Sequence, residues 1–295
     1  MRSEELRLPN YGGQALIEGV LMRGRHYVAA AMRAPDGKIV ITQERLSNLY
    51  QSKLNKIPFL RGIVILWDAL GLGTQYLTRS ANIQTGEEEK IEGPALYLTL
   101  AISMVIGIGL FFLLPAGIGK WIQNTSGVSG FVMNLIEGII RLGLIILYIW
   151  GIGRAKDIQR VFAYHGAEHK TINAFEARAE LTTEVVKNYP LEHPRCGTSF
   201  LLTLVVISIL VFSVFGSLPL GWLLLSRVLL LPLLAMIAYE YIRFTSNHLE
   251  SKFIRWIVKP NLALQKLTTR EPSLDMLEVS IASFHAMIEK EEEVR

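Results

Sequence analysis

Apolar residues in this chain are gathered into blocks, each close to the ~20 residues that a helix needs to cross a bilayer. The first block runs from about Ala95 to Ile118, and Pro115 and Gly117 are expected to kink or end it. The second runs from about Gly130 to Gly153 and the third from about Ser199 to Gly216. Leu218-Pro219-Leu220 then makes a tight reversal into a fourth block, from about Leu220 to Ile242. Four spanning helices are predicted. No internal repeat of the kind seen in secondary transporters is visible.

The segments between the blocks read as ordinary soluble sequence. Residues 1–56 form a β-rich unit. Tyr27–Met32 and Lys38–Thr42 flank Asp36-Gly37, a hairpin signal, and Ala15–Met22 is a candidate third strand. The glycines around it are no phosphate loop, since neither G-x-G-x-x-G nor a following Gly-Lys-Ser/Thr is present. Residues 57–93 read as a membrane-resting amphipathic helix and a linker, with Ile63, Leu66, Trp67 and Leu70 on one stripe. The remainder divides into a transmembrane hairpin (94–153), a polar segment (154–198), a second hairpin (199–242) and a tail (243–295). The tail ends in an amphipathic helix from about Ser273, with Leu274, Leu277, Ile281, Phe284 and Ile288 at helical spacing. The fold class is therefore mainly α, a polytopic membrane protein with about four transmembrane helices.

Charge orients these helices. The chain has 295 residues, 51% of them hydrophobic, and 30 Lys and Arg. Of these, 27 lie before the first span, within 154–198 or after Ile242, whereas Lys120 alone occupies a loop on the opposite side. By the positive-inside rule, both termini and the 154–198 segment are cytoplasmic and the protein is multi-pass in the plasma membrane. The same asymmetry accounts for the pI of about 9.1, so nucleic acid is excluded as a partner and membrane lipid is expected. The opening residues MRSEELRLPNYGG contain no signal-peptide apolar region, so the spans themselves are expected to direct insertion. A single cysteine, Cys196, excludes an intrachain disulfide and fits a reducing compartment.

Two sets of residues carry candidate chemistry. Tyr164-His165-Gly166-Ala167-Glu168-His169-Lys170 contains H-x-x-E-H. Imidazoles four apart share one helix face and can reach one metal ion, and Glu168 beside them could activate water. Ile158, Val161, Phe162, Ile172 and Phe175 extend the stripe, so the histidines face an interior. Glu176 lies ~10 Å further along the axis, too far to share that ion on a straight helix. His193 and Cys196, three apart in a rigid turn, are the better candidates to complete the site, and imidazole with thiolate points to zinc. Equally open is that Cys196 is an ordinary buried residue and that Gly197-Thr198-Ser199 caps a helix. In the second set, Glu137 and Arg141 are four apart on one span, and Arg227 stands at matched depth on another. They form an ion pair between helices or a path for protons or substrate, and Glu137 is predicted to bridge to Arg227 with Arg141 as second partner.

Gly12-Gly13-Gln14-Ala15, Ile17-Glu18-Gly19-Val20, Met22-Arg23-Gly24, Tyr164–Thr171, His193–Phe200 and Leu267–Pro272 together resemble the YqhQ-like family of bacterial membrane proteins. That family is described as a domain of unknown function (1385) and as a predicted metal-dependent enzyme. The resemblance implies no substrate and no established catalytic residue.

Two functions are expected from these residues. One is a metal-dependent enzyme, a hydrolase at the cytoplasmic membrane face acting on a lipid-linked or membrane-protein substrate. His165 and His169 hold a divalent ion, His193 or Cys196 completes the site, and Glu168 is the general base. The other is a non-enzymatic assembly or quality-control factor, in which the same four ligands close a structural zinc site. A transporter ranks third, and the sequence leaves oligomeric state open. The topology is tested by labelling intact cells with an impermeant thiol reagent. A cysteine placed near Asn124 should react and one near Lys187 should not; the reverse pattern would overturn the orientation.

Overall fold

A computed structural model describes residues 9, 11–47, 57–86 and 93–294 of the chain. Four antiparallel strands form a meander in the order β1-β2-β3-β4: β1 Gly12–Leu16, β2 Gly19–Arg23, β3 Tyr27–Arg33 and β4 Ile39–Arg45. The expected Asp36-Gly37 hairpin joins β3 to β4, and Gly37 adopts φ 85°. Ala15–Met22, expected as one strand, is two, folded back at Ile17-Glu18, where Glu18 takes φ 52°. Ser80 accepts from the Ile17 amide and Glu18 caps the turn by accepting from Arg33 N, so tertiary contacts hold a reversal that the local sequence does not advertise.

The two central strands, β2 and β3, are buried on both faces, which explains the nearly unbroken apolar run of β3. Val20, Met22, Ala29 and Ala31 pack against helices α5 (Lys156–Glu176) and α11 (Leu274–Glu292). The alternate residues Leu16, Leu21, Val28, Ala30 and Met32 pack against Tyr76 and Leu72 of helix α1 (Leu60–Thr85). The outward stripe of α1 is the apolar one, with Ile63, Trp67 and Leu70 exposed. A helix does occupy the end of the tail, starting after Ser273, but Leu274 is exposed while Met276, Leu277, Ser280, Phe284 and Met287 are buried between the sheet and α5.

Among the described residues, three helical segments are long and apolar enough to cross a membrane, or four if a bent pair is counted as one. The first spans Pro94–Ser126: helix α2 (Pro94–Ile108), a π-helical turn (Gly109–Leu113) and helix α3 (Leu114–Ser126). The second is α4 (Gly130–Ile152), and the third is α7 (Gly197–Val214), which follows the short α6 (Thr183–Val186). The bent pair is α8 (Leu220–Leu229) and α9 (Leu231–Asn247), at 46° to each other. Pro232 lies in the first turn of α9, where its ring and missing N–H prevent α8 from running straight on. Helix α10 (Lys252–Gln265) packs back along α7, with Asn261 donating to Thr203.

The apolar helices are tied together by one carboxylate. Glu137 on α4 accepts from Arg227 on α8 at 2.6 and 2.9 Å, and from Arg141 one turn along α4 at 2.5 Å. All three side chains are at most 1% exposed. Asn134 joins the set, accepting from Arg227 and donating to the Phe212 carbonyl of α7, and Arg141 also donates to Ser208 of α7. The remaining Arg141 donor, Nε, reaches the Phe111 carbonyl at 2.9 Å. Phe111 stands four residues before Pro115, whose missing N–H would have been its helical partner, so the proline frees the acceptor that the buried arginine uses.

Removing the carboxylate strands two buried guanidinium groups. Glu137→Gln should therefore lower stability by about 3 to 5 kcal/mol, and exchanging Glu137→Arg with Arg227→Glu should recover part of the loss. Thermal unfolding in detergent reads both; an unchanged midpoint for the single variant would refute the bridge.

Candidate metal centre

Helix α5 carries the H-x-x-E-H residues and is buried nearly all round from Ala163 to Ile172, not along one stripe. It lies between the sheet, α11 and two connecting segments. Its close approach to one of these depends on Gly166, since a β-carbon there would come 2.2 Å from the Arg270 carbonyl oxygen. On the sheet side, a β-carbon at Gly13 would stand 2.6 Å from the Leu21 carbonyl oxygen and 2.8 Å from Cγ of Glu168. Arg160 and Tyr164 both bind Glu18, which ties α5 to the β1–β2 turn.

His165 and His169 point toward the start of α7. Their rings lie 4.4 Å apart, centre to centre. Nδ1 of His165 is 2.9 Å from the Thr268 carbonyl oxygen, and Nδ1 of His169 bonds the Leu191 carbonyl oxygen. A carbonyl only accepts, so each Nδ1 carries the proton and each Nε2 offers a lone pair, as in metal-ligating histidines whose other ring nitrogen donates to a carbonyl. Cys196 meets them: its Sγ is 3.2 Å from Nε2 of His165 and also accepts from the Thr198 amide, making it the N-cap of α7. One ligand atom from each of His165, His169 and Cys196 lies within 4.8 Å of the others. Tetrahedral zinc would ask for separations of about 3.3 to 3.6 Å, so side-chain adjustments on the order of 1 Å suffice. The donor set, the fixed tautomers and the spacing fit a zinc-like ion.

His193 stands beside this group. Its ring centre is 5.7 Å from that of His169, and its buried Nε2 has no hydrogen-bond partner among the described residues, a Glu176 oxygen lying 3.6 Å away. Burial shifts His193 below the usual imidazole range, against the opposing pull of Glu176. For Glu176 itself, burial acts upward, but His193 and Arg195 outweigh it and hold the carboxyl below its usual range. Gln265 was not singled out by sequence, yet it fastens this loop: its amide accepts from His193 N and donates to the His193 carbonyl and to Ser199. Neither its spacing nor its type marked it. The Thr268 carbonyl was likewise unforeseen, because a backbone acceptor leaves no trace in residue identity.

Glu168 lies 3.9 Å from Nε2 of His165. Burial pushes its carboxyl up to about 7, while His165 and the Gly13 amide favour the charged form. His165, Glu168, His193 and Cys196 all line a cavity of about 380 Å³ whose far wall is Tyr11–Ala15.

A family model described as "Protein of unknown function (DUF1385)" matches residues 57–290. The chain belongs to this family. Over 305 residues it is 34% identical to a protein of Bacillus subtilis (strain 168) described as "Uncharacterized protein YqhQ", covering 96% of this chain and 93% of that protein. No solved structure matches. For this DUF1385 chain, the short motifs that are scattered in sequence meet around one helix. Gly13 abuts Glu168, Glu18 holds Tyr164, and Thr268 positions His165.

The geometry predicts a three-ligand ion site. Purified protein should carry about one zinc-like ion per chain by elemental analysis. His165→Ala, His169→Ala and Cys196→Ser should each lose it under chelator control. Full metal content in any of the three would remove that residue from the site.

Proposed function

We propose that this chain is a multi-pass plasma-membrane protein with a metal-dependent hydrolase centre on its cytoplasmic side. The observation that carries the proposal is a set of three ligand atoms, from His165, His169 and Cys196, of which His165 and Cys196 line a cavity together with the Glu168 carboxylate. Three protein ligands with an open position are the pattern of catalytic zinc, whereas closed four-ligand sets are structural. A divalent ion held there would supply Lewis acidity and bring water acidity near neutrality. The work of the chain is then to position and to move protons. His165 and His169 are locked in one tautomer by Thr268 and Leu191. Glu168, next to the cavity and with no Lys or Arg paired to it among the described residues, is the group suited to take a proton from attacking water and pass it on.

The orientation rests on charge. The sheet, α5 and α11 form one body with the basic segments, and Lys120 lies on α3 near the far ends of the helices, where Gln123 bonds Ser217. That body is cytoplasmic by the positive-inside rule.

A second reading is supported by the buried, unbonded Nε2 of His193. If that ring swings toward His169, it becomes a fourth ligand, and the centre is a closed structural site in a membrane assembly factor.

Two results separate these readings. In cobalt-substituted protein, the hydrolase reading expects a spectrum that changes on adding small anions and is unaltered by His193→Ala; the closed site expects the reverse. Glu168→Gln should keep the metal and fail to complement a deletion strain, because an amide takes no proton. Full complementation would eliminate Glu168 as base.

A further inference from the structure

The metal-centre cavity has a neighbour on the other side of the sheet. This second cavity, of about 470 Å³, has an apolar wall of Leu66 and Leu72 from α1, Phe200 from α7 and Ile242 from α9. In the metal-centre cavity the apolar wall is Val161 and Phe162 from α5 and Leu201 from α7. Helices α1 and α5 pack on opposite faces of the sheet, so the two cavities flank it from either side. They share Gly12, Gly13 and Gln14 of β1, and Arg195, Cys196 and Gly197 where α7 begins. Together they make one cleft between the first strand and the turn that carries Cys196.

Strand β1 is an edge of the sheet, and two contacts fix the direction of its main-chain groups. In an antiparallel pair, successive residues alternate between bonding the partner strand and pointing away from it. The Gly13 N–H is taken by Glu168 and the Ile17 N–H by Ser80, so the odd-numbered residues point away from β2. Ala15 stands between them and therefore turns its N–H and C=O outward, and it lines the metal-centre cavity. The Gly13 carbonyl points the same way. Gly12 and Gly13 are exposed, and a β-carbon at Gly12 would meet nothing within 4 Å. Neither residue has a side chain to hold off a second main chain at the ~4.8 Å of strand pairing. Outward main-chain donors and acceptors at a sheet edge are matched by another extended main chain. Such a chain sends alternate side chains to opposite faces, and here an apolar-walled cavity stands on each face.

We propose that β1 receives an extended segment of another polypeptide as an added strand, with apolar side chains entering the two cavities in turn, and that this segment is the substrate of the metal centre. The substrate assignment rests on the hydrolase reading; the strand site itself does not. Cleavage there adds water across one peptide bond. The water oxygen joins the carbonyl carbon, the C–N bond breaks, and the proton that Glu168 takes from water goes to the leaving amine. Glu168 touches both the strand and His165, so base and bound main chain share one place.

The test uses the full chain in detergent with chelator present. The probe is a fluorescein-labelled peptide of six alternating valine and leucine residues between paired lysines, and its binding is read by anisotropy. Two analogues carry esters in place of alternate amides, which removes N–H donors without adding an atom. One analogue should bind at least ten-fold more weakly than the amide peptide and the other within about three-fold, because only one set of donors faces β1. Equal affinity of the two analogues, or no binding of the amide peptide, would overturn the proposal. Gly12→Val, which fills the cleft where a β-carbon has room, should weaken binding at least ten-fold at an unchanged melting midpoint. Ala15→Pro removes an outward N–H, leaves the ladder to β2 intact, and should weaken binding as well. Full affinity in either folded variant would refute the strand site. Displacement by dihexanoyl phosphatidylcholine, with both analogues binding alike, would make the cleft a lipid site instead. Binding that appears only after residues 1–8 are removed would make this chain's own start the occupant and reject another polypeptide. If the analogues differ as expected while zinc-loaded protein leaves the peptide uncut, the hydrolase reading fails and the strand site stands.

Discussion

The close seating of α5 is the constraint on which the candidate site depends. Gly166 lets the backbone at Arg270 lie directly against the helix, and Gly13 lets the first strand lie against Glu168. Protein interiors have little slack, so a methyl group at either position would push a neighbour aside. At Gly166 that neighbour is the Thr268–Arg270 segment, whose Thr268 carbonyl orients His165. At Gly13 it is Glu168, whose carboxylate lies 3.9 Å from Nε2 of His165. Two small residues thus set distances among groups from four parts of the chain.

The apolar helices solve a different problem. In an apolar bundle the backbone is satisfied within each helix, and packing alone discriminates weakly between arrangements. Glu137, Asn134, Arg141 and Arg227 supply directional contacts among α4, α7 and α8, and Arg141 also reaches the π turn before Pro115. Every one of those donors has an acceptor that shares its depth.

The two halves meet where α7 begins. Cys196 caps that helix, joins the histidine pair and borders the cavity on the α1 side of the sheet. One residue at the boundary between the apolar helices and the sheet–helix body therefore connects three features: the helix start, the candidate ion site and a second cavity. Gln265 holds the same loop from α10, which ties the tail after the last apolar helix to the candidate centre.

Local pattern alone determined much of this protein. Uninterrupted apolar runs named the apolar helices, because their length requirement is set by the bilayer and not by neighbours. Asp36-Gly37 marked its hairpin, and the four-residue spacing of His165 and His169 placed both rings on one face. Matched depth even paired Glu137 with Arg227. Tertiary structure decided the rest. The reversal at Glu18 needs a positive φ that Ser80 and Arg33 sustain from afar. The bend at Leu230 and the freed Phe111 carbonyl depend on what proline removes and on which side chain is near enough to use it. Cys196 and His193 were equal candidates by spacing; only the fold brings the sulfur to the histidine pair and leaves His193 beside Glu176. Orientation of a ring by a backbone carbonyl, and the placing of a strand edge across a cleft from the start of α7, are distances between residues far apart in the chain, and no local periodicity encodes them.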